Sequence, residues 1–170
     1  YCGVKFKNPL VLASATPGWD GEAMRLAAEA GIGGVIPKTI GPKQDWAAHP
    51  RNGRMFLHRV QGRPVGMINM ELFTTMNREA WIEHELATAK QGGAVMQISI
   101  LAMPEPEETA KLVEELQSTG MVDLFELNVS CPMPASTVGM HIGKSAERTY
   151  AQVKNAKTAS RIPMTVKLTP

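Results

Sequence analysis

The chain has 170 residues, of which 44% are hydrophobic and 20% are charged. This balance is typical of one globular domain rather than of a disordered or collagen-like protein. The formal net charge of +2 is too small for the basic surface that binding to nucleic acid requires. The chain has only two cysteines, Cys2 and Cys131, which excludes a four-thiolate zinc or iron-sulfur site within it.

The sequence favours a cytoplasmic protein that engages neither membrane nor nucleic acid. No apolar run approaches the roughly 18 residues of a membrane span. The first residues lack the basic-then-apolar layout of a secretory signal peptide.

Short apolar runs rich in β-branched residues alternate with helical stretches along the chain, a pattern typical of βαβ units and a parallel sheet. The first predicted elements are a strand at 10–14, a helix from Asp20 to Ala30 and a strand at 33–38. An irregular excursion or hairpin follows at 41–64, with a short extended piece at 65–69. The remaining elements are a helix at 77–91, a strand at 94–101, a helix from Pro104 to Thr119, a strand at 123–128, a long loop at 129–144, a helix at 145–160 and a strand at 164–168.

Five βα steps fit two α/β folds, an open doubly wound sheet or the first part of a (β/α)8 barrel. Both folds place chemistry at the carboxyl ends of strands, and polar residues lie at four predicted strand ends, Ser14, Lys38, Asn128 and Lys167. The periodicity alone leaves both folds open.

Three familiar motifs fail on spacing or context. Gly31 to Gly34 lies between a helix and a strand, the wrong order for a dinucleotide fingerprint. Gly139 to Ser145 is one residue short of a phosphate loop. The Glu83-His84-Glu85 run has no second histidine four residues on, so it predicts a solvated charged face rather than a zinc site.

The segment from Glu126 to Pro132 sets Asn128, Ser130 and Cys131 at the end of a predicted strand. Side chains in that position face a ligand in both candidate folds. Taken alone, the segment is more typical of a buried structural cysteine followed by a proline that ends the strand.

Five segments follow one another in the order and with the spacing of one enzyme family. They are Asn8-Pro9 with 12–17, Gly33-Gly34 with Pro37-Lys38-Thr39, 68–71, 126–132 and 166–170. Together they resemble the dihydropyrimidine and dihydroorotate dehydrogenases, and the first and last look closest to the dihydropyrimidine dehydrogenase catalytic-subunit branch. The resemblance implies an α/β fold, a TIM (β/α)8 barrel with FMN at the strand carboxyl ends. Residues 1–170 would be a single FMN-binding barrel domain with about the first five βα units and without the last three strands.

The resemblance also implies a role for each matching residue. The residues expected to contact FMN are Ala13, Ser14, Lys38, Thr39 and Lys167. The residues expected to line the pyrimidine side are Asn69, Asn128 and Ser130, and Cys131 would be the acid/base. A lysine ammonium beside the flavin ring stabilises the negative charge that grows on reduction, and an asparagine amide offers both a donor and an acceptor to a pyrimidine edge.

The expected reaction saturates or desaturates the C5–C6 bond of a pyrimidine base, with hydride passing through FMN N5 and a proton through Cys131. A thiol with an ordinary pKa near 8.5 is a competent acid. Residues 132–144, which contain two prolines and two glycines, would form a mobile lid. We expect an oligomer, and an electron-transfer subunit or further domains with iron-sulfur clusters, FAD and NAD(P)H, because two cysteines cannot build the clusters here.

One departure concerns the substrate. The dihydroorotate branch usually has an asparagine two residues after the cysteine, where this chain has Met133. A thioether cannot donate a hydrogen bond, so a neutral base such as uracil or thymine is favoured over orotate, although His141 or Lys144 could restore a contact to a carboxylate.

Three alternative functions stay open at this point. The chain could belong to a dihydroorotate dehydrogenase, it could be a non-catalytic half-barrel interaction protein that binds no flavin, or it could be a cysteine-nucleophile hydrolase. The last lacks a histidine partner placed by any motif.

Overall fold

The computed structural model describes residues 1–41, 54–70, 74, 76–131 and 140–168. Its strands are β1 (Val11–Leu12), β2 (Gly34–Val35), β3 (Arg54–Val60), β4 (Arg63–Met70), β5 (Val95–Leu101), β6 (Leu124–Asn128) and β7 (Met164–Lys167). Its α-helices are α1 (Gly21–Glu29), α2 (Arg78–Ala80), α3 (Leu86–Lys90), α4 (Pro106–Ser118), α5 (Met140–Gly143) and α6 (Ala146–Ala159).

The main sheet has five parallel strands in the order β1-β2-β5-β6-β7. Apart from the hairpin β3–β4, the order in the sheet follows the order in the chain. A doubly wound sheet would reverse its order at a switch point, whereas a (β/α)8 barrel adds each strand beside the last. The topology therefore confirms the barrel over the open sheet.

Local signals explain where α1 begins and ends. The Asp20 carboxylate accepts from the Ala23 backbone N–H at 2.7 Å, which is the N-cap contact that aspartate makes. The Glu85 carboxylate accepts from the Gly21 N–H at 2.6 Å and so caps the same helix end. Gly31 has a φ of +108°, a conformation that glycine adopts without strain, and it ends the helix as predicted.

The predicted helix at 77–91 is present, with a π-helical segment inside it. α2 leads into a π-helix at Trp81–Glu85, which continues as α3. Trp81 is fully buried, and its indole N–H donates to the Thr74 hydroxyl at 3.3 Å. Glu83 and His84 are exposed, as the predicted solvated face requires, whereas Glu85 is partly buried and caps α1.

The excursion contains an antiparallel hairpin, β3–β4, whose turn is formed by Gln61 and Gly62, both at positive φ. The extended piece predicted at 65–69 was too short, because β4 covers eight residues. Apolar side chains on the hairpin are exposed on both of its faces. They are Phe56, Leu57, Val60, Val65, Met67 and Ile68. The part of the excursion at 42–53 lies outside the described residues.

The main sheet has one apolar face and one polar face. Met96, Ile98, Phe125 and Leu127 belong to the buried core cluster that includes residues of α1, α3 and α4. Alternate strand positions point the other way, and there the sheet carries polar residues at Gln97, Ser99, Glu126, Asn128, Thr165 and Lys167. Within the described residues, no helix is long and apolar enough to cross a membrane.

Candidate active site at the carboxyl ends of the strands

Four polar side chains meet where the first strands end. The Thr39 hydroxyl lies 3.2 Å from the Ser14 hydroxyl and 3.0 Å from the Ser99 hydroxyl. The Asn128 amide donates to the same Thr39 oxygen at 2.9 Å. The carboxyl ends of β1, β2, β5 and β6 are thus joined by one hydrogen-bonded cluster, as the parallel sheet predicts.

Asn128 also organises the turn that carries Cys131. Its side-chain carbonyl accepts from the Ser130 backbone N–H at 3.0 Å and from the Ser130 hydroxyl at 3.1 Å. An amide NH2 has two donors, so Asn128 can bind Thr39 and still donate to a ligand. The contact fixes the chain direction just before the thiol.

Cys131 is buried, with 8% of its surface exposed. Burial is the largest influence on the thiol and raises its pKa, because a desolvated thiolate is unfavourable. The positive charges of Lys38 and Lys167 oppose this effect and lower the pKa. Cys131 is therefore protonated at neutral pH and lies within the electrostatic reach of both lysines.

The two lysines differ in their surroundings. Lys38 is buried, with 4% of its surface exposed, and its backbone N–H donates to the Gly18 carbonyl at 2.8 Å. Lys167 ends β7 opposite Asn128, and its ammonium lies 2.7 Å from a carboxylate oxygen of Glu126. Both cations lie at the carboxyl ends of strands, on the same side as the cysteine.

The loop predicted at 129–144 contains the short helix α5, so its description as loop throughout was wrong. At Gly143 in this helix a β-carbon would lie 2.3 Å from the Val129 carbonyl oxygen. A glycine is thus required by close packing against the strand that leads to Cys131. This contact, rather than a phosphate loop, accounts for Gly143.

The structure describes most of the predicted site residues but not all of them. Ala13 follows β1 and is exposed, and its carbonyl accepts from the Ala15 N–H at 2.7 Å. Asn69 lies in β4 opposite Met55, and its side chain falls outside the described part of the chain. The predicted lid at 132–144 is described only from residue 140 onward, so Met133 also lies outside the described residues. His141 and Lys144 are exposed.

Two polar contributors were missed by the sequence analysis. Ser99 is fully buried in the hydroxyl cluster, and Glu126 was quoted only as part of a motif although it pairs with Lys167. The signal for both is the two-residue alternation of a strand. Ser99 and Glu126 are register partners in β5 and β6 and share the face of Asn128.

The two cysteines should differ in their reaction with iodoacetamide, because the thiolate is the nucleophile and Cys2 is exposed. At about pH 7 we expect faster alkylation of Cys2 than of Cys131, whose labelling should rise only above the ordinary thiol range near 8.5. Peptide mass spectrometry across a pH series measures both rates. Labelling of Cys131 as fast as Cys2 at neutral pH would mean that the lysine charges outweigh burial.

Comparison with known proteins identifies similar sequences along the whole chain. The sequence model of the family described as dihydroorotate dehydrogenase matches residues 1–170. The chain is 39% identical over 168 residues to "Dihydroorotate dehydrogenase B (NAD(+)), catalytic subunit" of Pyrococcus abyssi, a match that covers 99% of this chain and 52% of the relative. The corresponding subunit of Methanocaldococcus jannaschii is 31% identical over 172 residues, covering 99% and 53%.

A second kind of relative matches with an identity between those of the two subunits above. "NAD-dependent dihydropyrimidine dehydrogenase subunit PreA" of Escherichia coli (strain K12) is 34% identical over 180 residues, covering 100% of this chain and 41% of the relative. The identities therefore do not favour the dihydropyrimidine branch that the motifs suggested. The chain spans about half the length of the curated relatives it matches.

Proposed function

Because this chain belongs to the dihydroorotate dehydrogenase family, we propose that it supplies the first five βα units and part of the active site of an FMN-dependent oxidoreductase acting on the C5–C6 bond of a pyrimidine. The proposal rests chiefly on one observation. A buried thiol, Cys131, lies at the strand carboxyl ends within the electrostatic reach of two ammonium groups.

The donor set suits a flavin ring. Lys38 and Lys167 offer cationic donors, and the Ser14 hydroxyl, which is hydrogen-bonded to Thr39, offers a further polar group. The carbonyl and ring nitrogen atoms of a flavin accept such hydrogen bonds, and positive charge favours its reduced form. Bound there, FMN would supply the hydride that pairs with a proton in saturating the C5–C6 bond.

The proton is the part of the reaction that this chain would supply. Reducing the double bond needs a hydride on one carbon and a proton on the other. Because its pKa is raised by burial, Cys131 keeps its proton at neutral pH and can donate it. In the opposite direction the thiolate would accept the proton, so oxidation of a dihydropyrimidine should need higher pH than reduction.

The substrate edge would be recognised by amide and hydroxyl groups. Asn128 and Ser130 lie beside the thiol and can donate and accept hydrogen bonds. Met133 in place of a hydrogen-bonding residue favours a neutral base such as uracil or thymine. The second candidate substrate is orotate, favoured by the higher identity to the dihydroorotate dehydrogenase subunits.

Single-turnover mixing tests the function and separates the two substrates. The complete enzyme that contains this chain is loaded with FMN, reduced with dithionite and then mixed with uracil, thymine or orotate, and the return of oxidised flavin absorbance is followed. We expect reoxidation by at least one pyrimidine, faster with uracil or thymine than with orotate. Faster reoxidation by orotate would assign the dihydroorotate activity, and reoxidation by none of the three would contradict the proposed reaction.

Several components of the proposed enzyme come from the resemblance and from the names of the relatives. Electrons would reach FMN from NAD(P)H through FAD and iron-sulfur clusters on other domains or an electron-transfer subunit, and the assembly would be an oligomer in the cytoplasm. The non-catalytic alternative predicts a protein without flavin colour, so the absorbance spectrum of the purified protein distinguishes it from the enzyme.

A further inference from the structure

Glu126 is a buried carboxylate on the polar face of the sheet, two residues before the carboxyl end of β6. Its side chain is 11% exposed, and one oxygen lies 2.7 Å from the Lys167 ammonium. In the strand register Glu126 is paired with Ser99 on one side and Thr165 on the other. It therefore lies one layer deeper than Asn128 and Lys167, which are paired with each other at the strand ends.

Stability alone is a weak reason for this ion pair. Removing a carboxylate from water is costly, and a buried pair is often no more stabilising than apolar side chains of the same volume. (β/α)8 barrels usually fill the space inside the sheet with branched apolar residues. Here the same space contains Gln97, Ser99, Glu126 and Thr165, with a hydrogen bond of 3.0 Å between the Gln97 amide and the Thr165 hydroxyl.

The ion pair also places a negative charge close to the two lysines. Lys38 and Lys167 both act on the Cys131 thiol, so the two cations share one small region. Glu126 adds one negative charge to this region through its contact with Lys167.

We propose that Glu126 is a positioning residue that holds the Lys167 ammonium in the active site and, through its charge, sets how readily the bound flavin is reduced. The inference rests on the proposed flavin function. Reduction adds negative charge to the ring, and the Lys167 cation favours that charge. A carboxylate 2.7 Å from the cation opposes it, so Glu126 keeps the reduction potential lower than the two lysines alone would set it.

Replacing Glu126 with glutamine tests the charge while keeping the shape of the side chain. The reduction potential of the complete, FMN-loaded enzyme is measured by spectroelectrochemical titration. A unit charge in a partly buried site commonly changes an equilibrium by about tenfold or more. We expect Glu126→Gln to favour the reduced flavin by about tenfold, which is a positive shift of about 30 mV for a two-electron couple.

Two further variants separate charge from shape. Glu126→Asp keeps the charge and should retain a potential near that of the unchanged protein. Thr165→Val removes a polar group from the same face and breaks its hydrogen bond with Gln97, yet it should leave the potential unchanged. An unchanged potential in Glu126→Gln, or a shift of the same size in Thr165→Val, would overturn the inference.

Loading with flavin gives an independent readout. If Glu126→Gln fails to bind FMN while Glu126→Asp binds it, the result supports a need for a negative charge at position 126 to hold Lys167 in place. If neither variant binds FMN, the residue matters for its length and packing, and the proposed charge role is wrong. A complete enzyme without substitutions that binds no FMN would instead refute the proposed function itself, so the two failures are distinguishable.

Discussion

Cys131→Ser is expected to slow pyrimidine reduction by about 10²- to 10⁴-fold while leaving FMN bound and reducible. Serine has nearly the volume of cysteine, so the packing of this buried position changes little. Its hydroxyl is a far weaker acid than a thiol and cannot supply the proton at a comparable rate. Single-turnover reoxidation of the reduced flavin by the preferred pyrimidine measures the effect.

Cys2→Ser is the matched control, because Cys2 is an exposed cysteine. This variant should reoxidise at the normal rate. A structural role for Cys131 predicts instead a modest loss of stability with near-normal turnover. Equal reoxidation rates in Cys131→Ser and in the unchanged protein would therefore remove the thiol from the mechanism.

Much of the fold could be predicted because the main elements carry strong local signals. The helix at 21–29 has its aspartate cap and its glycine stop, and the strands that end at Asn128 and Lys167 are short and alternate apolar with polar residues. The lengths of the strands were less predictable. β1 and β2 have only two residues each, since parallel pairing with their neighbours decides where a strand ends, and pairing is not visible in the sequence.

The hairpin and the π-helical segment show what periodicity does not reveal. β3 and β4 have exposed apolar residues on both faces, so the alternation that indicates a half-buried strand is absent. The helix at 78–90 contains a π-helical segment that begins at the buried Trp81, but its sequence is typical of an ordinary α-helix. Tertiary packing determines both features.

The candidate site could be predicted at the strand ends, where position along the chain nearly fixes position in space. Ser14, Thr39 and Asn128 meet as expected because parallel strands bring their carboxyl ends together. The contact between Glu126 and Lys167 could not be predicted in the same way. It joins different layers of neighbouring strands, and it depends on a long lysine side chain that folds back toward the sheet.

The second large effect is expected at the other end of this ion pair. Lys167→Met keeps an unbranched side chain of similar length and removes the charge. We expect a weaker affinity for FMN, by about 10- to 100-fold, because a charge-assisted hydrogen bond contributes about 1.5 to 3 kcal/mol. The reduction potential should fall, the opposite of the shift expected for Glu126→Gln. Flavin fluorescence titration and spectroelectrochemistry measure the two quantities.

Lys167→Met should also destabilise the protein without bound flavin, because it leaves the Glu126 carboxylate buried beside no cation of its own. Breaking a fully buried pair in this way costs about 3 to 5 kcal/mol. Since the Lys167 side chain is 36% exposed, we expect a smaller loss of about 2 kcal/mol in the free energy of unfolding. Urea denaturation measures it.

The double variant Lys167→Met with Glu126→Gln decides whether the carboxylate is the cause of that loss. A neutral amide at 126 needs no counter-ion, so the double variant should recover most of the stability that Lys167→Met loses. Affinity for FMN should stay low, because the ammonium is still missing. Equal stability of the single and double variants would show that lysine packing, and not the charge of Glu126, determines the loss.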